Sequence, residues 1–330
     1  IRDAQESRGL GDVYKRQEKG FNYPNRFEKK DYLGEISSKF SKSSKSSLEG
    51  KKVSICTAGR IVLKRVMGNA AFMTLEDSSG RLQIFLSRNK LNEKLDEAKD
   101  LDLGDIIGVK GILFRTNTDE LTVDLDSFEL LTKSLKPMPE KHKGLTDIET
   151  IYRKRYLDLM SNPESREVFI KRNKIIKSLR TNLESNGFLE VETPMMHPIP
   201  GGANARPFET HHNALDKKLY LRVAPELYLK RLLVGGYEKV FEINRNFRNE
   251  GISTIHNPEF TMLEFYEAYG DLQRTAKFIQ KLIQDSILAV NDSLKITYDQ
   301  KNINFEKDFE IRSLKELVKE ELNVESLENE

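Results

Sequence analysis

Alternating hydrophobic and polar residues dominate the chain between Val53 and Thr132. Five runs show this pattern, and turn signals such as Gly68-Asn69 separate them, so each run is predicted to be a β-strand. The five runs are VSICTAGRIVLKRV, AAFMTLED, RLQIFLS, DIIGVKGILFRT and ELTVDLDSFELL. A charged, helix-like stretch, Lys90–Leu101, lies between the third run and the fourth. Five strands with a helix at this position follow the order of an OB-fold, so residues 51–134 are predicted to form a five-stranded barrel.

The segments before and after this region carry weaker patterns. Residues 1–17 have neither helical nor strand periodicity, and DVYKRQ resembles the translated end of a sequencing adaptor, so we interpret them as a non-native leader. Residues 18–50 are predicted to be a helical or linker segment, and the polar stretch Asp31–Lys51, which contains a serine-lysine run, is predicted to bury little. Residues 135–162 begin with the proline-broken stretch LKPMPEKHKG and are predicted to be a connector.

Helical spacing returns after Pro163, which is predicted to be the first residue of a long helix. Val168, Leu179 and Leu183 recur on one face of it, and Gly187 is predicted to end it. Further on, KVFEINRNF and PEFTMLEFY flank a loop rich in Arg, Asn and Gly, which fits an antiparallel hairpin rather than a βαβ crossover. Residues 163–330 are therefore predicted to be a second domain, which makes the chain an α+β protein.

Composition limits the class of protein. A chain of 330 residues exceeds the size of a single core, and 54 Lys plus Arg against 52 Asp plus Glu exclude a polybasic protein. No apolar run approaches the length of about 20 residues that a membrane span needs. Cys56 is the single cysteine, which excludes intramolecular disulfides and thiolate metal clusters. We expect a cytoplasmic protein that does not associate with membranes.

The segment NRNFRNEGISTIHNPEFTMLEFYEAY (244–269) carries the densest group of candidate functional residues. Arg248 and Glu250 are two residues apart, so on a strand both would point to one face, where an arginine can clamp a phosphate. Glu264 and Tyr266 repeat this spacing on the return strand. The intervening loop adds a polar and aromatic set suited to a flat base above phosphates, namely His256, Asn257 and Phe260. The alternative is a solvated hairpin that carries charges without a ligand.

A second group of candidates can complete a pocket for an ammonium ion. Gly202 permits a close backbone approach, and Glu226 follows a proline at a strand-to-helix junction. Together with Glu264, this gives two carboxylates that could surround one ammonium. Paired carboxylates are also typical of glycoside hydrolases and metal sites, but neither explains Arg248 or the barrel.

Several long motifs resemble those of bacterial lysyl-tRNA synthetases, a family of class II aminoacyl-tRNA synthetases. GFLEVETPMM is similar to motif 1 of the family, and FRNEGISTIHNPEFTMLEFY is similar to motif 2. IPGGANARPF and APELYLKRL are further matches, and the resemblance extends from about Tyr23 to about Asp271. It implies an OB-fold anticodon-binding domain, followed by a class II catalytic domain built on an antiparallel sheet. Motif 1 builds a dimer interface around a proline, which here is Pro194.

The resemblance also implies roles for individual residues. The catalytic residues would be Arg248, Glu250 and His256. The ATP site would consist of Arg248, Glu250, His256, Asn257 and Phe260. The lysine pocket would consist of Gly202, Glu226, Arg248, Glu264 and Tyr266. In the barrel, Phe72 and Gln83 would contact the anticodon; the alternative for Phe72 is an ordinary core residue.

The implied activity is lysine–tRNA ligation by a homodimer, with ATP, Mg²⁺, L-lysine and lysine tRNA as its partners. Lysine would attack the α-phosphate of ATP, and the tRNA would then attack the adenylate. Two alternatives remain: a synthetase for aspartate or asparagine, and a protein that binds tRNA or a partner without catalysis. The glycine-rich third motif of the family, and the carboxylates that bind metal before it, do not occur in these 330 residues. The sequence therefore predicts an incomplete catalytic domain that holds no metal by itself.

Because that motif supplies the arginine for the γ-phosphate, we expect residues 1–330 alone to form lysyl-adenylate slowly. Lysine-dependent exchange of labelled pyrophosphate into ATP measures this step directly. A rate close to that of a full-length family member would contradict the expectation.

Overall fold

A computed structural model describes residues 24–136, 138, 145–253 and 255–322, together with residues 11 and 14. The predicted leader therefore falls outside the described residues, apart from residues 11 and 14, as does part of the predicted connector. The chain divides into two compact units, Ile1–Pro163 and Glu164–Glu330.

The first unit is built around a closed five-stranded barrel. Its helices are α1 (Leu33–Phe40), α2 (Lys45–Lys51), α3 (Arg88–Leu91), α4 (Lys94–Lys99), α5 (Ile148–Arg153) and α6 (Arg155–Ser161). Its strands are β1 (Ser54–Met67), β2 (Ala70–Glu76), β3 (Arg81–Ser87), β4 (Ile106–Arg115) and β5 (Leu121–Thr132). The barrel closes in the order β1-β2-β3-β5-β4, with only β3 and β5 parallel. The five predicted strands are confirmed, and α3 and α4 occupy the predicted helical stretch.

The prediction that the polar stretch Asp31–Lys51 buries little is wrong for its two helices, α1 and α2. Leu33 in α1 and Leu48 in α2 are fully buried and belong to the barrel core, and Ile36 is almost as deeply buried. Each helix directs these few apolar side chains inward, while its serines and lysines remain at the surface. The polar composition of the segment does not reveal this, because a few apolar side chains, including the partly buried Phe40, carry the packing.

A buried ion pair joins the end of the barrel to the turn before β4. Nζ of Lys133 lies 3.0 Å from Oδ2 of Asp105, and both side chains are almost completely buried. The Asp105 carboxylate also accepts backbone hydrogen bonds from Asp102 and Ser134, each 2.7 Å long. Burial alone would lower the pKa of Lys133, but its hydrogen bonds to Asp102 and Asp105 raise the pKa above its usual value. The network thus satisfies a charge that would otherwise be costly to bury.

We predict that Lys133→Met destabilises the barrel by about 3–5 kcal/mol, because it leaves the buried Asp105 carboxylate without its cation. Chemical denaturation followed by circular dichroism measures the change. The matched control is Lys99→Met, because Lys99 pairs with the exposed side chain of Asp96 and its loss should cost at most about 1 kcal/mol. Equal losses from the two substitutions would contradict the prediction.

The second unit contains three small sheets and four α-helices among the described residues. Its helices are α7 (Pro163–Ser185), α8 (Glu226–Val234), α9 (Leu272–Leu288) and α10 (Leu314–Leu322), of which α7 begins at the boundary between the units. Its strands are β6 (Leu189–Glu190), β7 (Met196–His197), β8 (Glu209–His212), β9 (Lys217–Leu221), β10 (Lys239–Phe247), β11 (Glu259–Glu267), β12 (Lys295–Tyr298) and β13 (Lys301–Asn304). They form the sheets β11-β10-β6, β7-β9-β8 and β12-β13. The long helix starting at Pro163 and the antiparallel hairpin β10–β11 are confirmed.

Only part of the apolar face predicted for α7 is buried. Leu183 is fully buried and Leu179 packs against the same cluster, whereas Val168 is 62% exposed. Helical spacing alone identifies the apolar face of α7, but it does not indicate which turns of the helix are buried.

An apolar cluster covers one face of the β10–β11 hairpin. It centres on Phe188, Phe241 and Leu282, and Phe265 and Phe278 pack against it. The rings of Phe188 and Phe278 stack with centroids 5.5 Å apart. Because side chains alternate along a strand, the neighbours of Phe241 and Phe265 are directed to the opposite face. Packing on one side therefore fixes which residues the hairpin presents on the other. A membrane-spanning helix is not found in the part of the chain that the structure describes.

Candidate active site

The face of the hairpin opposite the apolar cluster, the polar face, combines polar side chains with aromatic and aliphatic ones. The strand register brings its residues into four cross-strand pairs, which are Val240–Tyr266, Glu242–Glu264, Asn244–Met262 and Asn246–Phe260. Partners directly opposite each other share a face, with Cβ atoms about 5 Å apart. The two strands thus collect carboxylate, amide, thioether and aromatic groups on one surface.

One end of this face carries a group of acidic and phenolic side chains. The hydroxyl of Tyr266 donates a 3.0 Å hydrogen bond to Oε2 of Glu264. Burial raises the pKa of Glu264, the Tyr266 hydrogen bond lowers it, and the charge of Glu226 at the start of α8 raises it further; the net shift is upward. Burial, reinforced by the bond to Glu264, also raises the pKa of Tyr266. Two half-buried carboxylates close enough to repel each other form a site that a cation would stabilise.

Gly202 lies directly against this acidic group. Its φ of +91° falls in the left-handed region, and a Cβ at this position would lie 3.1 Å from the Cβ of Glu226 and 3.2 Å from that of Ala224. A side chain at residue 202 would therefore be strained and crowded. Gly202, Glu226, Glu264 and Tyr266 thus lie near one another; Arg248, the fifth residue assigned to the lysine pocket, does not belong to this group.

Arg248 lies at the other end of the polar face, just after β10. Its guanidinium carbon is 5.3 Å from the centroid of the Phe260 ring, within range of a cation–π contact. Nε of Arg248 is buried without a hydrogen-bond partner among the described residues. The backbone N–H of Arg248 donates to the Pro258 carbonyl over 2.9 Å, which holds the residue next to the returning strand. An arginine held this way can still donate to an anionic ligand.

The expectation that strand alternation places Arg248 and Glu250 on one face is wrong. β10 ends at Phe247, so both residues follow the strand. Glu250 is exposed, and its Oε1 accepts a 3.2 Å hydrogen bond from the backbone of Arg206. The segment containing Arg206 thus holds the chain after β10, because the Asn249 N–H also donates to the Arg206 carbonyl over 2.8 Å.

The remaining loop candidates are at the surface. Nδ1 of His256 lies 2.8 Å from Oγ of Ser253, and both His256 and Asn257 are exposed. Residue 254 lies outside the described residues. Pro194 is also exposed, and its carbonyl accepts a 2.8 Å hydrogen bond from Nε2 of the buried His197. These contacts position the loop and the proline, but they bring neither into the acidic group.

A buried ion pair that includes Glu242 of the polar face was not anticipated from the sequence. Nη1 of Arg222 lies 2.7 Å from Oε1 of Glu242, and the two side chains are 0% and 1% exposed. The same nitrogen lies 3.0 Å from Oγ1 of Thr193, and Nε of Arg222 donates to the carbonyl of Arg245 over 2.9 Å. A charged residue within the apolar run YLRVA was the available signal, since an arginine there must find a partner when the run is buried.

On the barrel, Phe72 lies on the outer face and is half-buried, between the fully buried Ala71 and Met73. It is therefore not a core residue. Its ring lies 4.7 Å from that of Phe85 and 5.9 Å from the guanidinium carbon of Arg65.

Gln83 shares this outer face of the barrel. It is the neighbour of Phe85 two residues along β3, and its Oε1 accepts a 2.9 Å hydrogen bond from the Thr122 hydroxyl. The amide nitrogen of Gln83 is therefore directed away from this hydrogen bond, where it can donate to another group. An aromatic surface with a cation and an amide beside it is suited to stacking and hydrogen bonding with bases.

Comparison with known proteins places both units in established families. The model for tRNA synthetases of class II (D, K and N) matches residues 147–329, and the model for the OB-fold nucleic acid binding domain matches residues 55–131. The chain belongs to the class II tRNA synthetases. An OB-fold followed by a class II synthetase domain confirms the predicted fold class, and the closed barrel agrees with it.

Several similar curated proteins are lysine–tRNA ligases. That of Legionella pneumophila (strain Lens) is 54% identical over 302 residues, covering 91% of this chain and 60% of the relative. That of Chromobacterium violaceum is 52% identical over 304 residues, covering 92% and 61%, respectively. That of Thiobacillus denitrificans is 52% identical over 315 residues, covering 94% and 63%. The chain thus spans about three-fifths of the length of these relatives.

Proposed function

We propose that this chain is part of a lysine–tRNA ligase, which activates L-lysine with ATP and transfers it to lysine tRNA in the cytoplasm. The observation that carries the proposal is the acidic group of Glu226, Glu264 and Tyr266 at one end of the polar face, with Arg248 just after β10 at the other end. This arrangement offers anionic groups to a side-chain ammonium and a cation to a phosphate or carboxylate. Lysyl-adenylate carries both kinds of charge. The names of the similar relatives agree with this proposal.

In the proposed reaction, the lysine carboxylate attacks the α-phosphate of ATP, and pyrophosphate leaves. The tRNA terminal ribose hydroxyl then attacks the carbonyl of the adenylate, and AMP leaves. Arg248 binds the α-phosphate and offsets the negative charge that develops there, and Phe260 stacks on the adenine ring. Glu250, His256 and Asn257 contact the adenine and phosphates from the loop. Such catalysis depends mostly on positioning the reactants and neutralising charge.

The same family also includes synthetases for aspartate and asparagine, so the pocket must distinguish among three side chains. An aspartate side chain would be repelled by two carboxylates, and an asparagine amide would leave their charges unpaired. An ammonium ion satisfies both. The acidic group therefore favours lysine over the two alternatives.

The proposed ligase uses ATP with Mg²⁺, which generally binds the polyphosphate. No cluster of three or more histidine, cysteine, aspartate or glutamate side chains suited to a metal occurs among the described residues. No step of the proposed reaction is assigned to a metal held by the described side chains. We further propose that the ligase is a homodimer whose interface includes Pro194.

We expect Glu264→Gln to weaken lysine binding roughly 10- to 150-fold, since a hydrogen bond to a charged group contributes about 1.5–3 kcal/mol. The dissociation constant for ATP should change by less than about twofold. Isothermal titration of the chain with each ligand measures both. The matched control is Glu267→Gln, because Glu267 lies on the same strand but pairs with Lys239 and Arg274. Equal loss of lysine and ATP binding would contradict the pocket assignment.

For the barrel, we expect Phe72→Leu to weaken binding of the lysine tRNA anticodon stem-loop by about 1–3 kcal/mol, the usual contribution of one stacked base. A gel-shift titration measures the affinity, with an anticodon-mutated stem-loop beside it. Tyr152→Leu is the control, because Tyr152 is an exposed aromatic of the same unit outside the barrel. If the unaltered chain binds both RNAs equally, the barrel does not read the anticodon.

A further inference from the structure

The Arg222–Glu242 ion pair lies next to the proposed ammonium pocket, because Glu242 is directly opposite Glu264, and it is fixed from several sides. Besides the contacts of its side chain, Arg222 receives a backbone hydrogen bond from Phe247 at 3.0 Å and donates one to Met195 at 2.9 Å. Glu242 also accepts hydrogen bonds from the Thr193 hydroxyl at 2.7 Å and the Asn244 amide at 3.1 Å. The pair therefore has one geometry, and neither charge can reach solvent.

The strand register places this ion pair where it affects the charge of the pocket. Glu242 is directly opposite Glu264 across β10 and β11, so the two carboxylates share one face of the sheet. Like charges directly opposite each other destabilise both ionised forms. Glu264 is already held among acidic groups, and a second carboxylate beside it would favour its neutral form unless a cation compensates. Arg222 is the cation that contacts Glu242.

We propose that Arg222 is a positioning residue that reserves the Glu264 carboxylate for the ligand's ammonium by pairing with Glu242. Arg222 does not touch the ligand in this proposal. It acts through Glu242, whose charge it neutralises and whose side chain it holds away from Glu264. The proposal deepens the proposed function and rests on it for the identity of the ligand.

The charged and titratable groups around Glu264 are consistent with this role. From β11, Tyr266 donates a hydrogen bond to Glu264, and from α8, Glu226 adds a negative charge that Lys230 partly offsets through a 2.5 Å ion pair. Glu242 on β10 and Arg222, which directly follows β9, affect the ionisation of Glu264 in opposite directions. Burial is the largest cause that raises the pKa of Glu264; Arg222 lowers this pKa and Glu242 raises it.

Three variants test the proposal. Two single substitutions should shift the midpoint of Glu264 titration in opposite directions, and the double variant combines them. Arg222→Met leaves Glu242 unpaired and should raise the midpoint of Glu264 titration. Glu242→Gln leaves Arg222 as an unopposed cation and should lower it, while the double variant should return it close to that of the unaltered chain. Carbon-13 NMR of the labelled side-chain carboxyl follows this titration without any ligand. Arg180→Met is the control: it removes a cation from the Arg180–Glu190 pair of the same sheet and should leave the midpoint unchanged.

Lysine binding, measured by calorimetry across the same pH range, links the titration to the pocket. A one-unit rise in the Glu264 midpoint leaves roughly tenfold less carboxylate charged at pH values below both midpoints. Arg222→Met should therefore bind lysine about tenfold more weakly there, and should approach the unaltered chain near pH 9. Because the variant and the unaltered chain are compared at the same pH, the ionisation of lysine itself affects both equally. Glu242→Gln should bind at least as well as the unaltered chain.

The outcomes separate the two proposals. If lysine binding falls in Arg222→Met equally at every pH while the Glu264 midpoint stays fixed, Arg222 has a structural role only, and the inference is overturned. If Arg222→Met does not fold, a fixed or raised midpoint in Glu242→Gln overturns it equally. If the unaltered chain does not bind lysine while the midpoints move as stated, the ligand assignment fails and the role of Arg222 stands.

Discussion

The candidate site depends on the antiparallel register of β10 and β11. Alternation sends Phe241 and Phe265 into the apolar cluster, and the register then places Glu242 opposite Glu264 and Asn246 opposite Phe260. A shift of one residue would turn the apolar side chains outward and the carboxylates into the cluster, so the packing that stabilises the hairpin also selects one register. Stability and site geometry therefore have the same physical origin in this unit.

That register has an electrostatic cost, because it concentrates carboxylates on one half-buried surface. The structure offsets the cost in two ways. Glu242 is paired with a buried arginine, whereas Glu264 has the Tyr266 hydroxyl as its one hydrogen-bond partner among the described residues and remains close to Glu226. A buried ion pair contributes little to stability by itself, since desolvation consumes most of its attraction. Its value here lies in determining which carboxylate stays available to a cation.

Local signals predicted most of the architecture. The barrel strands could be located because alternation and turn residues act over a few positions, and the motif spacing identified Glu264 and Tyr266 as neighbours on one strand face. Burial at longer range could not be predicted in this way. Leu33 and Leu48 are core residues only because the barrel lies beneath their helices, and Arg222 pairs with a residue 20 positions away. Glu250 was misplaced because periodicity cannot indicate where a strand stops.

The two charged ends of the polar face differ in how they hold their side chains, and this bears on what each can bind. At the acidic end, hydrogen bonds between Tyr266 and Glu264 and between Lys230 and Glu226 fix the carboxylates before a ligand arrives. At the cationic end, Arg248 rests on the ring of Phe260, and its Nε has no partner among the described residues. An ammonium is a small ion that needs preorganised acceptors, whereas a phosphate accepts several donors and recruits an arginine whose donors are still free. The arrangement thus suits a ligand that is cationic at one end and anionic at the other, which is the charge distribution of an aminoacyl-adenylate of lysine.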